Sequence, residues 1–304
     1  MQFDTGTRHC LLVDSGPNPS TDYFVMPCLL GMGFTMQRAL WQELPPEQAP
    51  EYGSTVVFVR YMSKPWQQWV TQYRDRFQSV YYFMDDDLFD VSSWSGQRWS
   101  YRWRLFQRAH RFQAWLKETG AKLWVSTDAL ANKYSHWQPD ILAPKSPHEM
   151  YATRARSEVP IVFYHGSASH AAEMKWLVPV FEGVLSGHNS VTVEVIADAR
   201  NQRHFKPLRN RYDDRMQVVE PMPWLDYKQF VTRTTRTVGL APLLDTQFNA
   251  FRAPTKQFDI EAAQATGLFA SHPAFVNIPQ LSGTLHMTLP MDQQVWQEAI
   301  LEHL

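Results

Sequence analysis

The chain has 304 residues, enough for one large domain or two of ordinary size, and its 29 Lys and Arg against 30 Asp and Glu leave a net charge of −1. That balance lacks the broad positive field of a duplex-binding protein, so no nucleic-acid partner is expected. Cys10 and Cys28 are too few for a disulfide framework and lack metal-knuckle spacing, no apolar run approaches the roughly 18–20 residues that span a bilayer, and the opening MQFDTGTRHC has no basic-then-apolar leader; these features predict a soluble cytoplasmic protein.

Short apolar runs alternate with longer segments of helical period, the pattern of parallel sheets covered by helices. Cys10–Val13 reads as a strand, the turn-rich SGPNPSTD follows, and a helix is expected from about Tyr23 to Leu30. Val56–Val59 is a second strand, Trp66–Phe77 a helix, and Val80–Met84 a third strand that runs into three carboxylates, Asp85–Asp87. One long helix is predicted over Tyr101–Lys117, closed by Gly120, with Leu123–Val125 as the next strand.

The segment APKSPHEMYATRARSEVP, 143–160, is polar, holds three prolines and has no sustained apolar period, which places a link there and divides the chain into domains of about 1–150 and 151–304. The pattern then restarts. Ile161–Tyr164 is a strand, and Met174, Leu177, Val178, Phe181 and Leu185 mark a helix with Ser169 as its expected N-cap. Further strands are predicted at Val191–Ile196, Met216–Val219, Val238–Leu240 and Gly267–Ala270, and further helices at Trp224–Arg233, Lys256–Ala265 and Val295–His303. The fold class expected is α/β, with two Rossmann-like domains facing a cleft, and ligands of such sheets bind at the carboxyl ends of the strands.

Several residues at those ends carry chemistry. Arg252 and Lys256, on one helical face or at a loop and helix start, lie where cations are unfavourable unless an anion is bound, so the pair predicts a phosphate or pyrophosphate site, with a solvated basic pair as the other reading. Asp259 and Glu261 follow on the same helix but on different faces; Asp259 shares the side of Lys256 and is expected either to accept from sugar hydroxyls or simply to pair with that lysine. His165, Gly166 and Ser167 form a small-residue turn whose backbone N–H groups can approach a phosphate, or an ordinary strand-to-helix turn. Asp85, Asp86 and Asp87 repel one another, which raises at least one proton affinity and offers a base for an acceptor hydroxyl; a divalent cation site or a solvated cap are the other readings of the same run. Ser15 and Gly16 border the acceptor side or form a plain turn. The segment Arg98–Lys117 interleaves arginines with Trp and Phe, which suits either contact with an anionic membrane surface or a core helix with a basic outer face.

Two stretches in the C-terminal half, FYHGSASHAAEMKWLVPVFEGVL and VGLAPLLDTQFNAFRAPTKQFDIEAAQATGLFAS, resemble the donor domain of GT-B glycosyltransferases of family 4, also called group 1, with LLVDSGPNPSTDYFVMPCLL and VYYFMDDDLFD resembling their acceptor-domain strands. The likeness implies a GT-B fold and transfer of a sugar from a nucleotide sugar to a glycan or lipid-linked acceptor of bacterial capsule or lipopolysaccharide. No cofactor beyond the nucleotide-sugar substrate is implied and no divalent metal is expected. The enzyme would sit in the cytoplasm or at the inner face of the membrane. Where relatives carry a Glu-x7-Glu pair, this chain has Asp245 with Asp259 or Glu261 instead. A nucleotide-sugar epimerase of similar build and an inactive nucleotide-sugar-binding protein are the alternative readings.

Overall fold

A computed structural model describes residues 8–147, 150, 155–275 and 285–304. The opening 1–7, on which the leader reading rests, and 148–149 and 151–154 of the expected link lie outside the described residues. The chain packs as two compact units, one reaching to Ser146 and including Ala250–Ala253, the other formed by Pro147–Asn249 and Pro254–Leu304.

The first unit is built on β1 (Arg8–Asp14), α1 (Met26–Gly31, preceded by a π-helical turn at Thr21–Val25), β2 (Phe34–Leu40), β3 (Ser54–Val59), α2 (Lys64–Gln72), β4 (Phe77–Met84), α3 (Trp99–Arg108), α4 (Gln113–Glu118), β5 (Lys122–Val125), α5 (Asp128–Lys133) and β6 (Asp140–Ile141). Its six strands are all parallel, in the order β2-β1-β3-β4-β5-β6. Val56–Val59 and Val80–Met84 are buried on both faces, as continuous apolar runs in a helix-covered parallel sheet must be.

The second unit follows the same plan with β7 (Ile161–His165), α6 (Ala171–Gly187), β8 (Thr192–Ile196), α7 (Ala199–Gln202), α8 (Lys206–Tyr212), β9 (Met216–Val219), α9 (Trp224–Arg233), β10 (Val238–Ala241), α10 (Lys256–Ala262), β11 (Thr266–Ala270), β12 (His286–Leu289) and α11 (Gln293–Glu302). Its strands are parallel in the order β12-β11-β10-β7-β8-β9. Gly239 lets α10 lie close on this sheet, since a Cβ there would stand 2.6 Å from Ile260 and 2.8 Å from the Phe163 ring.

Strand order locates the ligand-binding edge within each unit. In the first, the chain winds outward in opposite directions from β1 and β3, and in the second from β7 and β10. Loops diverge at such switch points and leave a crevice at the carboxyl ends.

The expected helix 101–117 is broken. The Arg108 carbonyl accepts from Met62 N at 3.0 Å, Ala109 leaves helical geometry, and a single 3-10 turn at His110–Phe112 precedes α4. Ser169 does not cap α6; its hydroxyl lies 2.9 Å from that of Ser167, and a 3-10 turn at Ala168–His170 leads into the helix. The strands missing from the sequence reading, β2, β6 and β12, all lie at sheet edges.

Candidate functional site

At the switch point of the first unit, Asp14 ends β1 fully buried and gathers the turn around itself. Its carboxylate accepts from Gly16 N at 2.9 Å, Thr21 Oγ1 at 2.7 Å, and Arg38 Nε and Nη2 at 3.0 and 2.5 Å. Gly16 takes a φ of 86°, the left-handed region that favours glycine, while the Ser15 hydroxyl accepts from Trp41 Nε1 at 3.1 Å. Ser15 and Gly16 thus form a turn tied down by Asp14.

Across the switch point Arg60 follows β3 with φ 64°, an uncommon conformation for a side-chain-bearing residue, held by the Tyr82 hydroxyl donating to its carbonyl. This turn brings the guanidinium onto the end of β4, where it pairs with Asp85 and, at 2.9 Å, with Asp86. Ser20 Oγ donates to Asp85 at 2.5 Å. Arg252 Nε lies 4.0 Å from Asp86, because Ala250–Ala253 pack with the first unit.

The three aspartates therefore part company. Asp87 turns inward and accepts from Lys133 Nζ and the Tyr134 hydroxyl, both at 2.6 Å. Among the described residues no group of three His, Cys, Asp or Glu side chains is arranged to hold a metal ion. Burial pushes the Asp85 carboxyl above the usual carboxylate range, opposed by Arg60 and reinforced by Asp86. Asp86 is half-buried, and Arg60 and Arg252 outweigh its desolvation and hold it below that range. One carboxyl of the run with a raised proton affinity is what mutual repulsion predicts; the larger cause is burial.

At the switch point of the second unit, His165 ends β7 with its ring engaged on both sides. Nε2 lies 2.9 Å from Glu194 Oε1, and Nδ1 lies 3.1 Å from the Tyr227 hydroxyl. Arg236 Nε reaches Glu194 Oε1 at 2.5 Å. Burial lowers the His165 proton affinity, aided by Arg236 and Lys256 against the pull of Glu194. Burial acts to raise Glu194, but His165 and Arg236 prevail and hold it at about 2. The imidazole is a packed structural group, and what it offers outward is its backbone carbonyl.

That carbonyl accepts from Lys256 Nζ, which also sits 3.3 Å from Asp259 Oδ2. Lys256 begins α10, as the sequence predicts, and keeps 22% of its side chain exposed beside a buried Asp259. Of the two expected placements of Arg252 and Lys256, a loop and helix start is the one found: Arg252 precedes the helix and groups with the first unit, whereas Lys256 begins the helix in the second.

Gly166 has a packing reason of its own, beside the expected approach of a phosphate. A Cβ there would stand 2.7 Å from the Tyr164 ring and 2.8 Å from the Met174 methyl, so glycine is required by packing. Ser167 is exposed at the same turn. Glu261 faces away from Lys256, toward His286 Nε2 at 3.9 Å; its carboxylate is buried and takes no hydrogen bond among the described residues, and burial pushes it up to about 7. It is not part of the Lys256 cluster.

Asp14, Arg60, Glu194, Tyr227 and Arg236 organise these edges and were not singled out from the sequence. A signal was available for two of them. Asp14 and Arg60 each follow directly on an apolar strand run, just as Asp85 does.

Comparisons with known proteins bear on the fold. No protein-family model matches the chain, and no curated protein matches it significantly. Solved structures do match. A glycosyltransferase from Rickettsia africae ESF-5 superposes with a TM-score of 0.57 at 10% identity, over 98% of this chain and 88% of that one. The fold is of the GT-B type. UDP-GlcNAc 2-epimerase from Methanocaldococcus jannaschii matches with a TM-score of 0.51 at 7% identity, over 98% of this chain and 93% of that one. A mutant of S. aureus TarM, in complex with fondaparinux, alpha-GlcNAc-glycerol and UDP, matches with a TM-score of 0.52 at 7% identity, over 82% of this chain. The GT-B chain described here spans only about half of TarM, 48% of its length.

Proposed function

We propose that this GT-B chain is a glycosyltransferase that moves a sugar from a nucleotide-sugar donor to a hydroxyl of a bacterial surface glycan or glycolipid, without a divalent metal. The second unit holds the donor and the first the acceptor, and the enzyme works at the cytoplasmic side of the membrane. The observation that carries this reading is the Lys256 ammonium at the carboxyl end of β7, at the switch point of a sheet in this fold. Departure of a nucleoside diphosphate builds negative charge on its phosphate, and a fixed, partly exposed cation stabilises that charge where it develops. Asp259 beside it supplies an acceptor for a sugar hydroxyl.

In the first unit, Asp85 is the candidate base. Its raised proton affinity brings it nearer the range in which a carboxylate accepts a proton from an acceptor hydroxyl, and Ser20 and Arg60 fix its position. Asp86 is held ionised by its cations, and Asp87 is committed to Lys133 and Tyr134.

Lys256→Ala is expected to slow turnover or weaken nucleotide-sugar binding by at least about tenfold, about 1.4 kcal/mol. Steady-state kinetics and calorimetric titration check this, and unchanged values in a variant of unchanged melting temperature would remove Lys256 from the site.

Epimerisation of a nucleotide sugar is the second reading, since this chain covers the M. jannaschii epimerase, 93%, as fully as the Rickettsia africae glycosyltransferase, 88%. Release of free nucleotide that depends on an added glycan acceptor identifies transfer. Conversion of the donor's sugar without acceptor identifies epimerisation.

A further inference from the structure

Helix α3 does not bury the face that its composition would send to a core. Leu105 is its buried residue, while Trp99 is 73% exposed, Trp103 52% and Phe106 37%. Spaced at four and three residues, these rings lie along one side of the helix. Trp99 and Trp103 are stacked with centroids 6.4 Å apart, and Trp103 and Phe106 with centroids 5.8 Å apart and planes within 14°. A contiguous exposed aromatic stripe of this kind marks a surface that is covered by something.

The surrounding charge says by what. From Val91 to Lys117 the sequence contains no Asp or Glu, although the whole chain has 30 of them. The same stretch carries Arg98, Arg102, Arg104, Arg108, Arg111 and Lys117. Arg98, Arg104 and Arg111 are exposed, with Arg104 immediately beside Trp103. Indole and phenyl rings partition to the depth of lipid headgroups, and arginines on the flank attract anionic ones.

We infer that the α3 face is a docking surface for an anionic lipid bilayer, with Trp99, Trp103 and Phe106 entering the headgroup layer and Arg104 pairing with lipid phosphate. No helix among the described residues is long and apolar enough to cross a membrane, and the α3 face would attach from the surface of the bilayer. The inference stands on the first unit alone and does not depend on the donor reading.

The test uses the full chain without nucleotide sugar, so its outcome is separate from that of the donor site. Co-sedimentation is measured with vesicles of mixed phosphatidylglycerol and phosphatidylcholine and with vesicles of phosphatidylcholine alone. Binding to the anionic vesicles that weakens with salt, with a blue shift of tryptophan emission, is expected. The triple variant Trp99→Ser, Trp103→Ser, Phe106→Ser should lose at least about tenfold in partitioning. Arg104→Glu should lose about fivefold or more. Arg104 and the 73% exposed Trp99 lie on the surface, so Arg104→Glu and the single variant Trp99→Ser should keep the parent's melting temperature while partitioning less, which separates lost docking from any loss of the Phe106 stacking on His110. Equal sedimentation of the variants and the parent, no sedimentation with anionic vesicles at low salt, or tighter binding to a single-stranded oligonucleotide than to vesicles would overturn the inference.

Discussion

Replacing Arg60 by Met should destabilise the protein by about 2–3 kcal/mol at pH 7, measured by urea denaturation, because the change leaves two half-buried carboxylates without the guanidinium they share. Asp85 and Asp86 both pair with Arg60, and Arg252, 4.0 Å from Asp86, continues to favour that carboxylate, so Asp85 bears most of the loss. Methionine keeps the side-chain length and meets the same backbone constraint at φ 64°, so the loss reports the charge. The deficit should shrink in acid, since Asp85 already sits above the usual carboxylate range and a protonated carboxyl no longer needs the guanidinium. Adding Asp85→Asn and Asp86→Asn to Arg60→Met should recover part of the stability, a coupling that separates charge burial from lost packing. A variant within about 1 kcal/mol of the parent at pH 7 would mean that water or another cation compensates the pair.

Glu261→Gln should have the opposite sign. Burial raises this carboxyl from 4.5 to about 7, so the folded state binds its proton more tightly than the unfolded chain does. Below the unfolded value both states are protonated and the group has no effect. Between that value and about 7 the folded protein loses stability as pH rises, and above about 7 the full penalty, up to about 3 kcal/mol, is present. Glutamine carries no charge at any pH. The variant should therefore match the parent near pH 4 and be more stable by up to about 3 kcal/mol at pH 8. His286, 3.9 Å away, has its proton affinity lowered by burial and contributes the reverse slope, losing stability as pH falls below its ordinary range. The difference between variant and parent isolates Glu261. A difference that does not grow between pH 4 and pH 8 would show that the carboxylate is solvated in the folded protein.

The central strands were legible because burial on both faces forces continuous apolar runs, as in Val56–Val59, Val80–Met84 and Val238–Leu240. Edge strands such as Phe34–Leu40 and His286–Leu289 pair on one side only and tolerate polar, half-exposed sequences, which removes the period that would reveal them. The break at Ala109 was hidden for another reason: local helical preference continues through it, and the competing bond from Met62 comes from a distant segment.

At the candidate site the same division holds. Lys256 and Asp259, three residues apart on one helix, were placed together correctly by local geometry. Arg252, four residues earlier, was legible only as lying on the helix or just before it, because its position is set by the packing of Ala250–Ala253 with the first unit. Gly166 was legible as a glycine needed for close approach, and the closeness of Tyr164 and Met174 to it is set by tertiary packing. The roles of Asp85, Asp86 and Asp87 depend on Arg60 and Lys133, 25 and 46 positions away from their partners, and no local pattern carries that information.

The most direct measurement of the central claim is a thermal-shift titration of the full chain with CMP-, UDP-, GDP- and dTDP-linked sugars. Binding to the folded state raises the melting temperature by mass action. A saturable rise is predicted for one nucleotide class, retained in Arg104→Glu and weakened at least about tenfold in Lys256→Ala. No rise with any nucleotide sugar, or an equal rise in the Lys256→Ala protein, would contradict the account.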